Sequence, residues 1–332
     1  MKIDIFPHVV PLKYQQALYK KAPSNALIRK FAEAFPALTD MDIRFRIMDK
    51  YEGLLQVLTL GNPAVEDVVG PKDAVELARL ANDEMAELVF RHPDRFVAAM
   101  ASLPMNDIDA ALKELDRAMT ELRFRGIQLS SSINGKPLDS PEFMPLYEKM
   151  AYYDLPILIH PQRPGTVPDY PGESGSKHLV YQVFGWPYET TVAMTRLIFG
   201  GVFEKYPNLK VVTHHCGGMV PYFAARISGQ YDTMELRAGY RNEQHLTRRP
   251  VDYYRMFYAD TAVSGNTAAL MCGYKFFGAD RILFGTDMPY DGQLGDRYTG
   301  QTILSIEQMD ISDAERKLIF EDNAKKLLRL PI

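Results

Sequence analysis

The sequence predicts an α/β protein, a (β/α)8 TIM barrel with insertions after strands 1 and 5. Three observations carry this. Eight short apolar runs recur along the 332 residues, and longer helical stretches separate them. Most of the runs are continuously apolar, as strands buried on both faces are. A barrel of this kind takes about 250 residues, and insertions take up the rest. The alternative is an open doubly wound sheet. No G-x-G-x-x-G follows the first run, which counts against a dinucleotide fold.

The strands are read at residues 2–6, 54–60, 96–101, 126–129, 156–160, 209–213, 256–260 and 281–285. The helices are read at 42–51, 73–91, 108–122, 142–152, 190–205, 265–276 and 313–328. Ser312 before Glu315 has the spacing of a capping box. Ser140-Pro141 reads as an N-cap followed by proline at the first helical position. The insertions span 9–39 and 163–187. The second is rich in proline and glycine, and long irregular loops in a compact domain are often lids or binding loops. With no repeat, low-complexity tract or linker, residues 1–332 read as one domain.

Composition narrows the class. Hydrophobic residues make up 46% and charged residues 24%, so there is ample apolar surface to offset chain entropy, and extensive disorder is excluded. The net charge of −4 comes with no basic stripe, which argues against nucleic acid as a partner. Two cysteines, Cys216 and Cys272, make no disulfide framework, as expected in a reducing cytoplasm. The N-terminal residues lack the apolar run of a signal peptide, and no stretch of about 18 apolar residues suggests a membrane span. The expectation is a soluble cytoplasmic protein.

A barrel places its site at the C-terminal ends of its strands. His8 follows the first strand, His160 closes the fifth, and His214-His215 follow the sixth. Asp260 closes the seventh strand and Asp287 follows the eighth. Four of seven histidines thus fall at strand ends. Imidazole and carboxylate converging at one rim suit zinc or another divalent metal. The remaining histidines read as structural or solvated: His92 at a helix C-terminus, His178 in the insertion, His245 on a charged surface stretch. Strand alternation implies that only one of His214 and His215 faces the barrel mouth. Cys216 reads as a small buried filler. Tyr181, Phe184, Trp186 and Tyr188 can line a pocket for a flat ring or pack the insertion onto the barrel. Tyr290 and Arg297 fall on the same rim, where both are candidates to touch substrate.

Several motifs in this order resemble the amidohydrolase superfamily, in the branch of the aminocarboxymuconate-semialdehyde, resorcylate and carboxyvanillate decarboxylases. They are Ile3-Asp4-Ile5, Pro187-Tyr188-Glu189-Thr190-Thr191, the stretch from Gly200 to Pro207, and His215-Cys216-Gly217-Gly218 with Pro221. Phe257-Tyr258-Ala259-Asp260-Thr261 and Gly285-Thr286-Asp287-Met288-Pro289 complete the set. The resemblance implies the barrel, a mononuclear divalent metal (zinc, with manganese as the other candidate) and a dimer or tetramer. It implies His8, His160 and Asp287 as metal ligands, and His215, with Asp287, as the proton-handling groups. It places Arg44 on a substrate carboxylate, a task that suits a planar guanidinium. Asp260 would position a ligand or a histidine. One position departs: the branch opens with His-x-His or Glu-x-His, and here the triplet is Phe6-Pro7-His8. A phenylalanine cannot ligate a metal, so weakened or absent metal binding is part of the expectation.

Three functions follow. The first is a metal-dependent, non-oxidative decarboxylase of an aromatic or muconate-type carboxylic acid. The second is a metal-dependent hydrolase of a lactone, amide or related bond, using the same residues. The third is a degenerate barrel that only binds a ligand, motivated by Phe6.

Overall fold

A computed structural model describes residues 1–22, 26–239 and 246–332. His245 and residues 23–25 of the first insertion lie outside the described residues. Among the described residues, eight parallel strands close on themselves: β1 (Lys2–Asp4), β2 (Leu54–Leu60), β3 (Phe96–Ala99), β4 (Ile127–Ser130), β5 (Ile157–His160), β6 (Val211–Thr213), β7 (Tyr258–Asp260) and β8 (Ile282–Leu283). A bridge between Ala101 and Ile127 joins β3 to β4. Ile5 N donates to Phe284 O at 3.0 Å and closes β8 onto β1. After a break, His8–Val9 pairs with Thr59 and Leu60. The open doubly wound alternative is thereby set aside.

Side chains that alternate inward fill the barrel. Ile3, Ile5, Val57, Ala98, Leu158, Val212 and Leu283 form one buried cluster, and Phe6 belongs to its upper end. The outward side chains pack under the helices in a second, larger cluster. The amphipathic helix Pro71–Arg91, for example, buries Ala74, Leu77, Ala78, Ala81 and Met85 against it.

Most elements fall where the sequence puts them, and the differences have physical reasons. Helices Val220–Ala238 and Asp296–Glu307 are absent from the sequence reading. The first buries only Val220 along its 19 residues, so it has no apolar stripe to read. The second carries Gly300 and two threonines, Thr299 and Thr302, which are weak helix formers. The first insertion is helical over Leu12–Lys21 and Ala26–Ala34. The second ends earlier than expected: helix Gly185–Phe199 begins ahead of Pro187, which sits in its first turn. Ser312 forms its capping box with Glu315. Ser140 instead donates to Pro137 O and leads into the 3-10 turn Pro141–Phe143. His92 caps the C-terminal end of Pro71–Arg91, as read.

One buried acid near the rim has a measurable consequence. Burial pushes the Glu66 carboxyl, 7% exposed, up to about 8. An acid whose folded pKa is raised stabilises the fold below its ordinary value of 4.5, and that contribution is lost as pH rises toward 8. Glu66→Gln should therefore match the parent protein at pH 4–5. At pH 8–9 it should be more stable, by on the order of a few kcal/mol in urea titration. Parallel pH profiles for the two proteins would contradict this.

Candidate metal centre

His8, His160, His214 and Asp287 each offer one ligand atom at the C-terminal rim, and the four atoms lie within 4.8 Å of one another. His8 Nε2 is 3.3 Å and His214 Nε2 3.5 Å from Asp287 Oδ1. All three of these atoms are buried without a hydrogen-bond partner. Buried polar atoms are normally paired, so three orphans facing one point mark a place built for another group.

Each ligand is oriented from behind. Thr59 Oγ1 lies 3.0 Å from His8 Nδ1. His160 Nδ1 lies 2.8 Å from Pro161 O and 3.1 Å from Asn62 Nδ2. His214 Nδ1 is paired with Asp260 Oδ2. Such partners fix the tautomer and ring direction of a metal-binding imidazole. Asp4 does the same for the backbone of the rim. Its carboxylate accepts from Phe6 N at 3.2 Å, Thr286 N at 3.0 Å and Thr286 Oγ1 at 2.6 Å, tying the end of β1 to the turn carrying Asp287. Burial raises that carboxyl to about 6 against these hydrogen bonds.

The charge state suits a cation. Burial lowers the pKa of His8 and drives that of His160 well down, so both are neutral imidazoles. Burial would raise Asp287, but the adjacent His214 and His8 rings hold it far below the usual carboxylate range. Burial opposes charge on His214 too, but Asp260 and Asp287 outweigh it and push it up to about 10. His215 is lowered to about 4 by burial and by its charged neighbour His214. Metal ligation requires deprotonated ligands. His8, His160 and Asp287 meet that condition as they stand, and a cation here would displace the proton from His214.

The tandem histidines correct a sequence expectation. β6 stops at Thr213, and His215 and Cys216 take left-handed backbone conformations, with φ of 54° and 53°. Alternation ceases with the strand, so both rings reach the mouth, 3.9 Å apart. Gly218 permits this turn, because a side chain there would collide with the Pro187 carbonyl. His214 is fully buried, whereas the His215 side chain is 20% exposed, with Nε2 3.9 Å from Asp287 Oδ2. Cys216 is buried beside Gly273, and burial raises its thiol well above the ordinary range, as suits a filler.

The structure brings some substrate candidates together and separates others. The Trp186 ring lies 5.6 Å from that of His160 and 6.5 Å from that of His215. Its Nε1 is buried without a hydrogen-bond partner. Tyr290 lies 5.1 Å from the His8 ring. Phe184 and Tyr188 are exposed, and Tyr181 packs against Gly165, so of the four insertion aromatics Trp186 is the one beside the centre. Arg297 stands exposed on helix Asp296–Glu307, in an outer groove with Tyr51 and Gln301, away from the imidazoles.

Arg44 also departs from its expected place. It has no exposed surface. Its guanidinium donates to Gln56 Oε1 at 2.8 Å, His8 O at 2.7 Å and Ala37 O at 3.2 Å. Burial lowers it to about 10, countered by Asp4 and Tyr290. It holds the chain at His8 through Nε and Nη1, while Nη2 is buried without a hydrogen-bond partner. Thr59 and Asn62 were missed as orienting residues, because a polar side chain at a strand end carries no pattern by itself.

The Amidohydrolase family matches residues 11–330. This chain belongs to that family. The amidohydrolase is 34% identical over 300 residues to gamma-resorcylate decarboxylase of Polaromonas sp. (strain JS666), covering 87% of each chain. A solved 2,6-dihydroxybenzoate decarboxylase complexed with 2,6-dihydroxybenzoate superposes with a TM-score of 0.82. That match has 28% identity and covers 99% of this chain and 98% of the other. A dihydroxybenzoic acid decarboxylase from Polaromonas sp. JS666, with bound manganese and 2-nitroresorcinol, gives a TM-score of 0.79. Its identity is 30% over 99% of this chain and 96% of the other.

Removing the Arg44 guanidinium should act on the fold. Arg44→Met should lower the stability measured in urea by about 1–3 kcal/mol for each buried acceptor left unpaired among Gln56 Oε1 and the His8 and Ala37 carbonyls. Any loss of activity should follow the loss of folded protein, with the KM for the acid unchanged in the fraction that remains folded. Unchanged stability with a raised KM for the acid would return Arg44 to substrate recognition.

Proposed function

We propose that this amidohydrolase is a metal-dependent, non-oxidative decarboxylase of a small hydroxylated aromatic carboxylic acid. The observation that carries the reading is the buried group of orphaned ligand atoms on His8, Asp287 and His214, with His160 beside them, at the mouth of a barrel matching aromatic acid decarboxylases over nearly its full length. His8, His160 and Asp287 would hold the ion. Manganese in the solved relative favours that metal over zinc, although the donor set accepts both. A divalent cation here supplies positive charge for the carboxylate and hydroxyl oxygens of the acid.

The chain's own residues supply the rest. Trp186 stands edge-on to the His160 ring at 72° and carries a buried, unpaired N–H, suited to an aromatic ring with a polar substituent. Tyr290 closes the His8 side. His215, neutral and reaching the open side, takes up a proton and delivers it to the ring carbon bearing the carboxylate. The carbon–carboxylate bond then breaks, its electron pair restores the aromatic ring, and carbon dioxide leaves. One carboxylate and one proton give one arene and one carbon dioxide. Asp287, facing the same imidazole, steadies the positive charge that His215 carries in between. No organic cofactor is required, in keeping with the absence of a phosphate-cradling glycine motif. Assembly as a homodimer or homotetramer is part of the proposal, closed symmetric assemblies being the commonest oligomers.

His215→Asn should keep the fold and the bound metal while lowering carbon dioxide release by roughly 100-fold or more. Chelation should abolish release, and manganese should restore it. Assays with dihydroxybenzoates, against lactones of similar size, distinguish this reading from hydrolysis. Acid production from a lactone without carbon dioxide release from any acid would overturn it.

A further inference from the structure

We infer that His214 is a metal ligand in this chain and occupies the coordination place that position 6 cannot fill. The inference rests on the metal-dependent reading above and decides which imidazole completes the set. Phe6 is fully buried and faces the centre, its ring stacked on that of His214 with centroids 4.1 Å apart at 15°. A phenyl ring has no donor atom, so the first strand contributes His8 alone. His214 approaches the same space from β6. Its Nε2 is buried without a hydrogen-bond partner and lies 3.5 Å from the Asp287 oxygen that faces His8.

The other ring nitrogen explains why His214 stays there. Nδ1 is bound to Asp260 Oδ2, while Asp260 Oδ1 accepts from Cys216 N and Ala262 N, both at 3.1 Å. The carboxylate is anchored at both oxygens and aims Nε2 at Asp287. A carboxylate behind a metal-binding imidazole is the usual way of fixing it. With no exposed surface, His214 cannot meet a substrate. His215 has the opposite character: partly exposed, beside Trp186, with Nδ1 unbonded and no carboxylate behind it. The tandem pair thus divides two tasks, ligation by the first ring and proton handling by the second. Ligand atoms about 2.1 Å from one ion lie roughly 3–4 Å apart, close to the spacing found here.

The test counts imidazoles on the metal. Purified protein is stripped, loaded with copper(II) and examined by pulsed electron paramagnetic resonance. Manganese affinity is measured separately by competition with a chelator. Three imidazoles are expected in the parent protein and in His215→Gln, and two in His214→Gln. Manganese affinity should fall at least 10-fold in His214→Gln and about 10–100-fold in Asp260→Asn, which loses only the orienting carboxylate. The double variant Phe6→His, His214→Gln should regain three imidazoles. Circular dichroism checks folding. If His214→Gln does not fold, a count of three in both the parent and His215→Gln still assigns the third ring to His214. A parent count of two overturns the inference and leaves the metal-dependent reading intact. A loss in His215→Gln assigns the ligand to His215 and also overturns it. A parent that binds no metal overturns both.

Discussion

One buried carboxylate organises the rim. Asp287 faces His8, His214 and His215 from inside the barrel mouth, and neither its Oδ1 nor the nearest imidazole nitrogens have ordinary hydrogen-bond partners. An ionised group in such surroundings is costly unless compensated. The neighbouring elements are arranged to keep the compensation in place. Asp4 ties the turn before Asp287 to β1, Arg44 grips the chain at His8, and Asp260 aims His214. The ions among these residues are themselves paired or multiply hydrogen-bonded. Function and local stability therefore draw on the same contacts.

The position of the site was legible in the sequence, because strand ends converge in a barrel whatever the loops do. His8, His160, His214, His215, Asp260 and Asp287 could be placed on one rim from eight apolar runs. Which tandem histidine does what was not legible. Alternation governs a strand, and the chain leaves β6 one residue before the rule was applied to it. Arg44 shows the opposite failure. A helix position says nothing about how deep a side chain reaches, and this guanidinium turns inward to backbone carbonyls. The helices Val220–Ala238 and Asp296–Glu307 escaped because one lacks an apolar stripe and the other is poor in helix formers. Neither contributes a ligand.

Phe6 changes the economy of the site. In place of a ligand, the first strand supplies an apolar ring that continues the barrel interior up to the imidazoles and stacks on one of them. A drier, more apolar floor strengthens every electrostatic interaction above it. The anionic end of a substrate must then be met by charge at the centre, because Arg44 is committed beneath it and Arg297 lies outside. Arg163, at the start of the second insertion, is likewise engaged, in an ion pair with Glu189 at 2.9 Å. On the proposed reading, recognition of an acid in this barrel depends on a cation held at that centre.

The claim is tested most directly by locating that cation. Crystals of the protein soaked in manganese and measured near the manganese absorption edge would give an anomalous difference map. The account predicts one strong peak at the barrel mouth, within bonding distance of about 2.0–2.3 Å of nitrogen atoms of His8 and His160 and a carboxylate oxygen of Asp287. A map with no peak at the mouth, or with manganese bound only at surface carboxylates, would contradict it.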